Sequence, residues 1–394
     1  MTAVPASERP KVSLLYNPRV RTIAYQTLLC AIIAFLAWSA VNNAIENLRR
    51  ARIASGFEFW RFTSGFDISQ TLIDYSSTST YGRAFWVGLI NTLVVAAIGI
   101  MLATIVGFLA GIARLSKNWL LSRLAGGYVE LIRNLPLLLQ LLFWYNAVLK
   151  ALPDMRDSWS LPGSVFLNNR GFFAPYPIFE PAMSWVVGAF IVGVLGAIAY
   201  RVWAAKKQER TGEQSPVALV ALGLIVGLPI IAFFLAGMPA TLEFPEKGRF
   251  NIRGGMEILP ELVALLIGLV MYAGAFIAEV VRAGIMAVSK GQTEAAGALG
   301  LRTGSTLKLV VVPQAMRVII PPLTNQYLNI TKNSSLAVFV GYPDLVQIFT
   351  GTVLNQTGQA VEVVMITMAV YLSISLVTSM AMNWYNSRIA LVER

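Results

Sequence analysis

The sequence predicts an all-α membrane protein with about eight transmembrane helices. Of its 394 residues, 56% are hydrophobic and only 13% are charged, and the mean hydropathy is +0.64. This composition is too apolar for the surface that a soluble protein of this length must present to water. The apolar residues also form long unbroken runs, whereas the strands of a membrane β-barrel alternate between apolar and polar residues in short segments.

Eight segments have the length or the composition of membrane spans. A transmembrane helix needs about 20 mostly apolar residues, and five runs of at least that length contain no Asp, Glu, Lys or Arg. These runs cover residues 22–41, 84–113, 181–200, 215–242 and 363–387. Three further segments are shorter or interrupted by charge, at residues 128–149, 261–285 and 318–331. Because the first run is long and follows a polar lead, we expect it to remain as an anchor and not to be cleaved as a signal.

The charges between the spans are distributed unevenly over the two sides of the membrane. The segments on the side of both termini contain 18 Lys and Arg and five Asp and Glu, whereas the opposite segments contain 11 of each kind. Cytoplasmic loops carry an excess of Lys and Arg, so we predict that both termini are cytoplasmic. The net charge of +11 is then explained by topology and by contacts with anionic membrane lipid, and not by nucleic acid binding.

Residue types and motifs that support catalysis are missing from the sequence. It has no histidine and a single cysteine, Cys30, which excludes a disulfide within the chain and a cysteine-based metal site. It also lacks the glycine-rich phosphate-binding loop that ends in Gly-Lys-Ser or Gly-Lys-Thr. We therefore expect no enzyme activity, no metal and no cofactor on this chain.

The connection between the sixth and seventh predicted spans is the most informative stretch. It begins at Glu279, contains a run of small residues from Gln292 to Gly300, and continues to Pro313. A glycine directly after such a run is typical of a helix C-terminus. The pattern predicts a short helix that ends at Gly300 and protrudes from the membrane as a compact knob.

This connection resembles the EAA loop of type I importer permeases in the ATP-binding cassette (ABC) superfamily. The residues at the characteristic positions are Glu294, Ala295, Ala296, Gly300 and Pro313. Further segments are similar to the polar amino acid uptake subfamily, at residues 278–285, 290–292, 313–317, 321–323 and 332–336. Residues 128–137 and Gln140 resemble an earlier signature of that subfamily, with Asn134-Leu135 in place of the more usual Gly-Thr. So long a match makes an accidental motif improbable.

The resemblance implies a type I permease core with two additions. The core would comprise residues 84–150 and 257–392, and residues 1–83 would form a cytoplasmic lead, an extra first helix and an outer loop. Residues 151–256 would be an insertion with two more membrane helices, as in the permeases of general L-amino acid importers. Since the spans of this insertion carry no embedded charge, we expect them to face lipid or a partner.

The same resemblance implies an ATP-driven importer of L-amino acids in the bacterial inner membrane, with this chain forming half of the translocation path. ATP and magnesium would bind to a homodimer of ATP-binding cassette subunits. Two other partners would be a second, different permease and a periplasmic amino-acid-binding protein. The ATPase would dock on a coupling segment formed by Gln292, Glu294, Ala295, Ala296, Leu299, Gly300 and Leu301.

The seventh predicted span is polar enough to line a path for solute. Three prolines in and before it, Pro313, Pro321 and Pro322, predict irregular backbone, which at membrane depth is tolerated only against protein or water. The polar residues that follow include the candidate path residues Asn325, Asn329, Lys332, Asn333 and Ser334. Lys332 would then attract a solute carboxylate. The alternative is that Lys332 reaches the outer interface and that the asparagines join helices.

Four acidic residues lie in or near the spans. The i,i+3 spacing predicts that Glu279 pairs with Arg282 and that Glu130 pairs with Arg133 near the inner face. Glu261 and Glu362 lie near outer span ends, where they would either meet a solute ammonium group or, as we expect, extend to the interface.

Two other functions remain open at this level. Broken helices and embedded acids also suit a carrier driven by a proton or sodium gradient. An ABC permease for another small polar solute is the second alternative, because the resemblance to amino acid permeases is an analogy and not pocket chemistry.

Overall fold

The computed structural model describes residues 18–50, 56–248 and 251–389. The predicted cytoplasmic lead up to residue 17 and the end of the predicted core beyond residue 389 lie outside these residues. The α-helices of the described residues are α1 Pro18–Arg50, α2 Tyr81–Arg114, α3 Trp119–Arg133, α4 Leu137–Leu142, α5 Met183–Thr211, α6 Val217–Leu222, α7 Leu228–Leu235, α8 Pro260–Met286, α9 Lys290–Ala298, α10 Thr303–Thr306, α11 Val312–Asn333, α12 Leu354–Thr357 and α13 Ala360–Ile389.

Seven helical stretches of the described residues are long and apolar enough to cross a membrane. They are Val20–Asn43, Tyr81–Arg114, Met183–Thr211, Val217–Leu235, Pro260–Met286, Thr303–Phe339 and Ala360–Arg388. Each overlaps one of the eight predicted spans, so the predicted helical membrane architecture is confirmed. The predicted span at residues 128–149 is the one that is missing from this set.

That third predicted span is divided in the structure. α3 ends at Arg133, and α4 begins directly after Pro136. The proline ring disfavours helical backbone in the residue before it and provides no N–H donor. A π-helical turn extends α4 as far as Leu149. The prediction of one uninterrupted helix is therefore wrong, and the second piece is a shorter apolar helix.

Small residues allow α2 to pack closely in the centre of the bundle. Gly99, Ala103, Gly107 and Gly111 recur every four residues on α2, and all four are buried. A Cβ atom at Gly111 would lie 2.7 Å from the carbonyl oxygen of Ala278 on α8. Helix pairs in membranes associate through such small-residue surfaces because no hydrophobic driving force exists between helices in lipid.

α11 continues through the prolines that the sequence analysis expects to disturb it. Pro321 and Pro322 lie inside the helix. The irregular backbone occurs instead at its two ends, in a π-helical turn over residues 307–311 and a 3-10 segment over residues 334–339. α8 and α13 pack along α11, and these contacts hold the helix together where proline removes a hydrogen-bond donor.

Short strands outside the spans add to the predicted helical fold. They are β1 Trp159–Leu161, β2 Val165–Asn168, β3 Gly171–Ala174, β4 Tyr176–Phe179, β5 Ala240–Glu243, β6 Glu246–Lys247, β7 Ile252–Arg253 and β8 Met256–Ile258. All pairings are antiparallel, in one sheet of order β1-β2-β3-β8 and two sheets of two strands, β4-β5 and β6-β7. The insertion thus returns to the core by strand pairing, because β8 lies just before α8.

The two helical arms of the insertion pack on each other. α5 runs against α6 and α7, which are joined by a π-helical turn. A side chain at Gly193 would collide with the carbonyl group of Leu224. Trp185 and Leu235 are 74% and 83% exposed, as suits a surface in lipid. The second arm ends at Leu235 and not at the predicted residue 242, because residues 240–243 pair as β5.

Candidate functional site

The connection after α8 forms the predicted short helix, α9. Its last turn is closed by Gly300, whose φ of +78° lies in the left-handed region. The N–H of Leu301 donates to the carbonyl oxygen of Ala296 at 3.1 Å, which is the hydrogen bond typical of a helix that ends at a left-handed glycine. The prediction of a helix stopped by this glycine is confirmed.

The coupling segment presents a small and largely apolar surface. Its exposed members are Gln292, Glu294, Ala295, Leu299, Gly300 and Leu301. Leu299 is 82% exposed, whereas Ala296 is buried against the rest of the chain. Small side chains let a partner approach the backbone closely, and burial of one leucine contributes about 1.5–3 kcal/mol. The surface is therefore suited to docking another protein.

A hydrogen bond connects α9 directly to the start of α11. The side-chain Nε2 of Gln314 donates to Oε1 of Gln292 at 3.3 Å. Gln292 thus has two faces, one toward solvent and one toward the next membrane helix. The contact links the start of α9 to the start of α11.

Glu279 lies near the C-terminal end of α8, at the centre of three arginines. Arg114 of α2 binds its Oε2, Arg282 lies 3.1 Å from its Oε1, and Arg133 of α3 lies 3.5 Å from its Oε2. The guanidinium carbon of Arg133 is also 5.0 Å from the centroid of the Phe276 ring. We call these four charged residues the Glu279 cluster. It joins α2, α3 and α8 about two turns before α8 ends at Met286, and its formal charge is positive.

The Glu279 cluster confirms one predicted ion pair and replaces the other. Glu279 and Arg282 pair as their spacing predicts. The predicted pair of Glu130 with Arg133 is wrong, because Arg133 binds Glu279 instead. Glu130 is exposed on α3. Arg133 therefore binds the half-buried carboxylate of Glu279 on another helix in preference to Glu130, its neighbour in sequence.

A polar face of α11 is left uncovered by the rest of the chain. Asn325, Asn329 and Lys332 are all exposed, and their spacing of four and three residues places them on one side of the helix. Pro322 lies on the same side. Polar groups at this depth are found against protein or a water-filled cavity and not against lipid. We call this surface the polar face of α11.

The two remaining candidate path residues lie elsewhere. Ser334 is fully buried, and its hydroxyl donates to the carbonyl oxygen of Thr331 at 2.8 Å. Asn333 is half-buried. The backbone tightens into a 3-10 segment at Ser334, which turns its side chain inward. Ser334 is therefore a structural residue in this chain and not part of the exposed polar face.

A buried carboxylate that is absent from the predicted site residues lies against α13. Asp344 is fully buried. Its Oδ1 accepts the backbone N–H of Gln347 at 2.8 Å, and its Oδ2 accepts the hydroxyl of Tyr371 at 2.9 Å. An aspartate that follows a proline and precedes an apolar helix is a helix-start signal, and this signal was present in Pro343-Asp344. The carboxylate therefore connects α13 to the start of a π-helical segment, Val346–Val353.

Glu261 and Glu362, which are expected near outer span ends, both accept a hydrogen bond from another segment of the chain. Oε1 of Glu261 accepts the hydroxyl of Tyr145 at 2.7 Å. Oε1 of Glu362 accepts the backbone N–H of Gly56 at 2.6 Å. Because Glu362 is buried, the expectation that it extends to the interface is wrong for this residue. Glu362 joins α13 to a segment that precedes the core in sequence. Glu261 joins α8 to the π-helical extension of α4.

Comparison with known proteins identifies the family of this arrangement. Residues 103–391 match the family model "Binding-protein-dependent transport system inner membrane component". The general L-amino acid transport system permease protein AapQ of Rhizobium johnstonii is 51% identical, over 97% of this chain and 95% of AapQ. The glutamate/glutamine/aspartate/asparagine transport system permease protein BztB of Rhodobacter capsulatus is 41% identical, over 99% of both proteins. A crystal structure of an amino acid ABC transporter with histidines aligns at 20% identity and a TM-score of 0.47, over 78% of this chain and 95% of that one.

The chain belongs to the family of inner membrane components of binding-protein-dependent transport systems. It is a multi-pass permease subunit of an ABC importer, with the type I permease fold. The family expected from the EAA loop is therefore confirmed. The region matched by the family model contains both the coupling segment and the polar face of α11.

Proposed function

We propose that this chain is one of two permeases in an ATP-driven importer of L-amino acids in the bacterial inner membrane. The exposed coupling segment on α9, in the connection after α8, is the observation that carries this proposal. The names of two relatives support the substrate class, since one is a general L-amino acid system and the other a system for glutamate, glutamine, aspartate and asparagine.

The coupling segment is the docking surface for the ATPase subunits, which bind ATP and magnesium. Leu299 enters an apolar recess of the ATPase, and the small residues beside it allow close contact. Movement of the docked subunits then reaches α11 through the Gln314–Gln292 hydrogen bond and reaches α8 through the Glu279 cluster. Such a linkage is reciprocal, so a conformational change imposed from the outer side also alters the affinity of the ATPase site for ATP.

The polar face of α11 lies toward a second, different permease, and the solute passes between the two chains. Lys332 has no carboxylate within 4.0 Å among the described residues of this chain, which leaves its charge available to a solute carboxylate. A periplasmic amino-acid-binding protein delivers the solute from outside. Both termini lie in the cytoplasm together with the coupling segment, as the excess of Lys and Arg on that side supports.

Uptake into reconstituted vesicles tests the proposal. We expect ¹⁴C-labelled glutamate or glutamine to accumulate only when the copurified ATPase, the receptor and ATP are all present. An ATPase variant that binds ATP without hydrolysing it is the matched control for energy input. ATP-independent uptake by the chain alone, driven by a proton or sodium gradient, would reject the importer in favour of a secondary carrier.

A charge reversal within the coupling segment tests the docking surface separately. Glu294→Lys is expected to leave membrane insertion intact and to uncouple ATP hydrolysis from uptake. Glu209→Lys is the matched control, because Glu209 is also exposed and lies on the same side of the membrane at the end of α5. Equal uptake by the two variants would contradict the assignment of docking to α9.

A further inference from the structure

A separate helical segment follows α11 and continues in the same region of the bundle. α11 ends at Asn333, and a 3-10 segment comes next. Helical structure resumes in a π-helical segment and α12, which together cover residues 346–357. We call these residues the second half-helix. Gly341 and Gly358, on either side of it, have φ of +80° and +69°, so the chain changes direction at both ends.

The second half-helix begins deep between two membrane spans. The carboxylate of Asp344, just before it, accepts the hydroxyl of Tyr371 on α13. The backbone N–H of Leu345 donates to Thr92 Oγ1 on α2 at 3.1 Å. Thr92 and Tyr371 each lie eleven residues after the first residue of their helix, which is about 16 Å along the axis. Since the hydrocarbon core of a bilayer is about 30 Å thick, the half-helix begins near the middle of that core.

The other end of the second half-helix returns to the first residues of the same two spans. The hydroxyl of Tyr81, where α2 begins, donates to Oε1 of Gln356 at 2.9 Å. α11 stops well before this level, because a Cβ atom at Gly99, 18 residues further along α2, would lie 3.2 Å from Cγ2 of Ile330. α11 and the second half-helix thus form one discontinuous span. Transport proteins bind solutes at the breaks of such spans.

One face of the second half-helix is packed and the other is polar. The packed face joins a hydrophobic cluster with residues of α2 and α13, through Ile348, Phe349 and Val353. Gln347 and Thr350 are half-buried. The hydroxyl of Thr350 donates to the carbonyl oxygen of Val346 at 2.6 Å, whereas Gln347 bonds to other described residues only through its backbone. A side-chain amide at this depth requires a polar partner from outside the chain's own packing.

Asp344 fixes the place of Gln347. Its Oδ1 accepts the backbone N–H of Gln347 at 2.8 Å, as an aspartate at a helix N-cap does. Asn91 Nδ2 on α2 donates to the carbonyl oxygen of Pro343 at 2.8 Å, and Tyr371 holds Asp344 from α13. The backbone that bears Gln347 is therefore preorganised, which lowers the entropic cost of a contact made by its side chain.

An amide suits a path for amino acids of different charge. Its N–H groups donate to a carboxylate, and its oxygen accepts from an ammonium group or from another amide. Because the amide itself is uncharged, it accommodates acidic and neutral solutes alike. Lipid hydrocarbon provides none of these partners, so solute or water fits the polar face of the half-helix better than lipid does.

We propose that Gln347 is a specificity-determining residue of the solute path and that Asp344 is its positioning residue. This inference rests on the proposed function, which supplies the path and the amino acid solute. Gln347 lies on the same discontinuous span as the polar face of α11. The two parts of this span then contribute polar groups to one path.

Maximal uptake rates in reconstituted vesicles test the role of Gln347. They are measured for glutamate and for glutamine with receptor and solute in excess, so that the affinity of the receptor does not enter the comparison. For Gln347→Glu, repulsion between two carboxylates is expected to lower the ratio of the glutamate rate to the glutamine rate at least about fivefold. Gln356→Glu is the matched control, because it makes the same change on the same half-helix at a residue that bonds to α2. Its ratio is expected to stay within about twofold of the unmodified complex.

A substitution of opposite charge separates specificity from damage to the fold. Gln347→Lys is expected to raise the ratio of the glutamate rate to the glutamine rate, which a general disturbance of the half-helix would not do. Co-elution of the ATPase and of the second permease verifies the assembly of each variant. An unchanged ratio in both Gln347 variants, or a change equal to that of Gln356→Glu, would overturn the inference.

Two further substitutions test the positioning role of Asp344. Tyr371→Phe removes the hydroxyl that binds Asp344, and we expect both maximal rates to fall by about fivefold with their ratio unchanged. Asp344→Asn keeps an acceptor oxygen for the backbone N–H of Gln347, so it should retain more uptake than Asp344→Ala. Equal uptake by the two Asp344 variants would contradict the positioning role.

Failure of the inference is distinguishable from failure of the proposed function. If the unmodified complex shows ATP-driven uptake and the Gln347 variants keep its solute ratio, only the inference is wrong. If the unmodified complex shows no ATP-driven uptake, the proposed function fails first. Loss of the second permease from both Gln347 variants would mean that Gln347 contacts that chain and not the solute, which also overturns the inference.

Discussion

The coupling segment and the polar face of α11 are both uncovered, and their chemistry is opposite. The first exposes Leu299 and small residues at the end of a membrane helix, where water would surround it. The second exposes Asn325, Asn329 and Lys332 within a membrane span. The apolar coupling segment is mismatched with water, so it indicates a further protein. The polar face of α11 is mismatched with lipid, so it indicates a further protein or a water-filled path.

The insertion provides the contrast to both surfaces. Its helical arms expose apolar side chains such as Trp185 and Leu235, which suit contact with lipid or with another apolar helix. Such a surface does not by itself indicate a partner. The mismatch between a surface and its environment, and not exposure by itself, therefore locates function in this permease.

The largest effect is expected from Gly300→Pro, which removes the geometry of the coupling segment. Proline fixes φ near −65°, whereas Gly300 has a φ of +78°. ATP-driven uptake in vesicles should fall at least about tenfold, while ATP hydrolysis continues without uptake. Gly304→Ala is the control, since Gly304 has no positive φ and open space around its Cα. Normal uptake by the proline variant would remove the coupling segment from the mechanism.

Leu299→Ala is expected to weaken ATPase binding without altering the shape of α9. Losing the burial of one leucine costs about 1.5–3 kcal/mol, or roughly 10- to 100-fold in affinity. Titration of the purified ATPase onto the permease in nanodiscs measures the change. Leu115→Ala at the end of α2, also exposed and outside the coupling segment, should bind as the unmodified chain does. A similar loss in both variants would mean that the docking surface is not specific to α9.

Glu279→Gln is expected to destabilise the packing of α2, α3 and α8 on one another, because three arginines then face one another without a carboxylate. We expect the thermal unfolding midpoint in detergent to fall by roughly 2–4 °C for each kcal/mol lost, and the difference to shrink at high salt. Glu130→Gln removes the same charge one helix away without breaking an ion pair. Equal midpoints for the two variants would show that the Glu279 cluster contributes nothing to stability.

The smallest effect is expected from Lys332→Ala on the polar face of α11. A lysine and a solute carboxylate at 4 Å in water attract by about 1 kcal/mol, so the apparent KM for glutamate should rise by about fivefold, and less for neutral amino acids. Lys308→Ala, at the other end of the same span, is the control. If Lys332→Ala leaves the KM of every solute unchanged, the alternative that Lys332 extends to the interface is favoured.

Local patterns predicted a large part of the fold and of the site. Seven of the eight predicted spans have a counterpart among the described residues, because continuous apolar length is a property of the sequence alone. The stop at Gly300 was also predictable, since few residues tolerate a left-handed backbone. The predictions that were wrong involved contacts between distant segments, such as Arg133 with Glu279 and β3 with β8.

The amino-acid sequence by itself determined that this chain spans a membrane, where its helices lie and that it carries an EAA loop, because these depend on local composition and short spacings. The tertiary structure decided which side of α11 stays uncovered, why Ser334 is buried and how Glu279 collects three arginines. Such features depend on the close packing of helices that are far apart in sequence, and no local spacing encodes which of several partners a buried charge will meet.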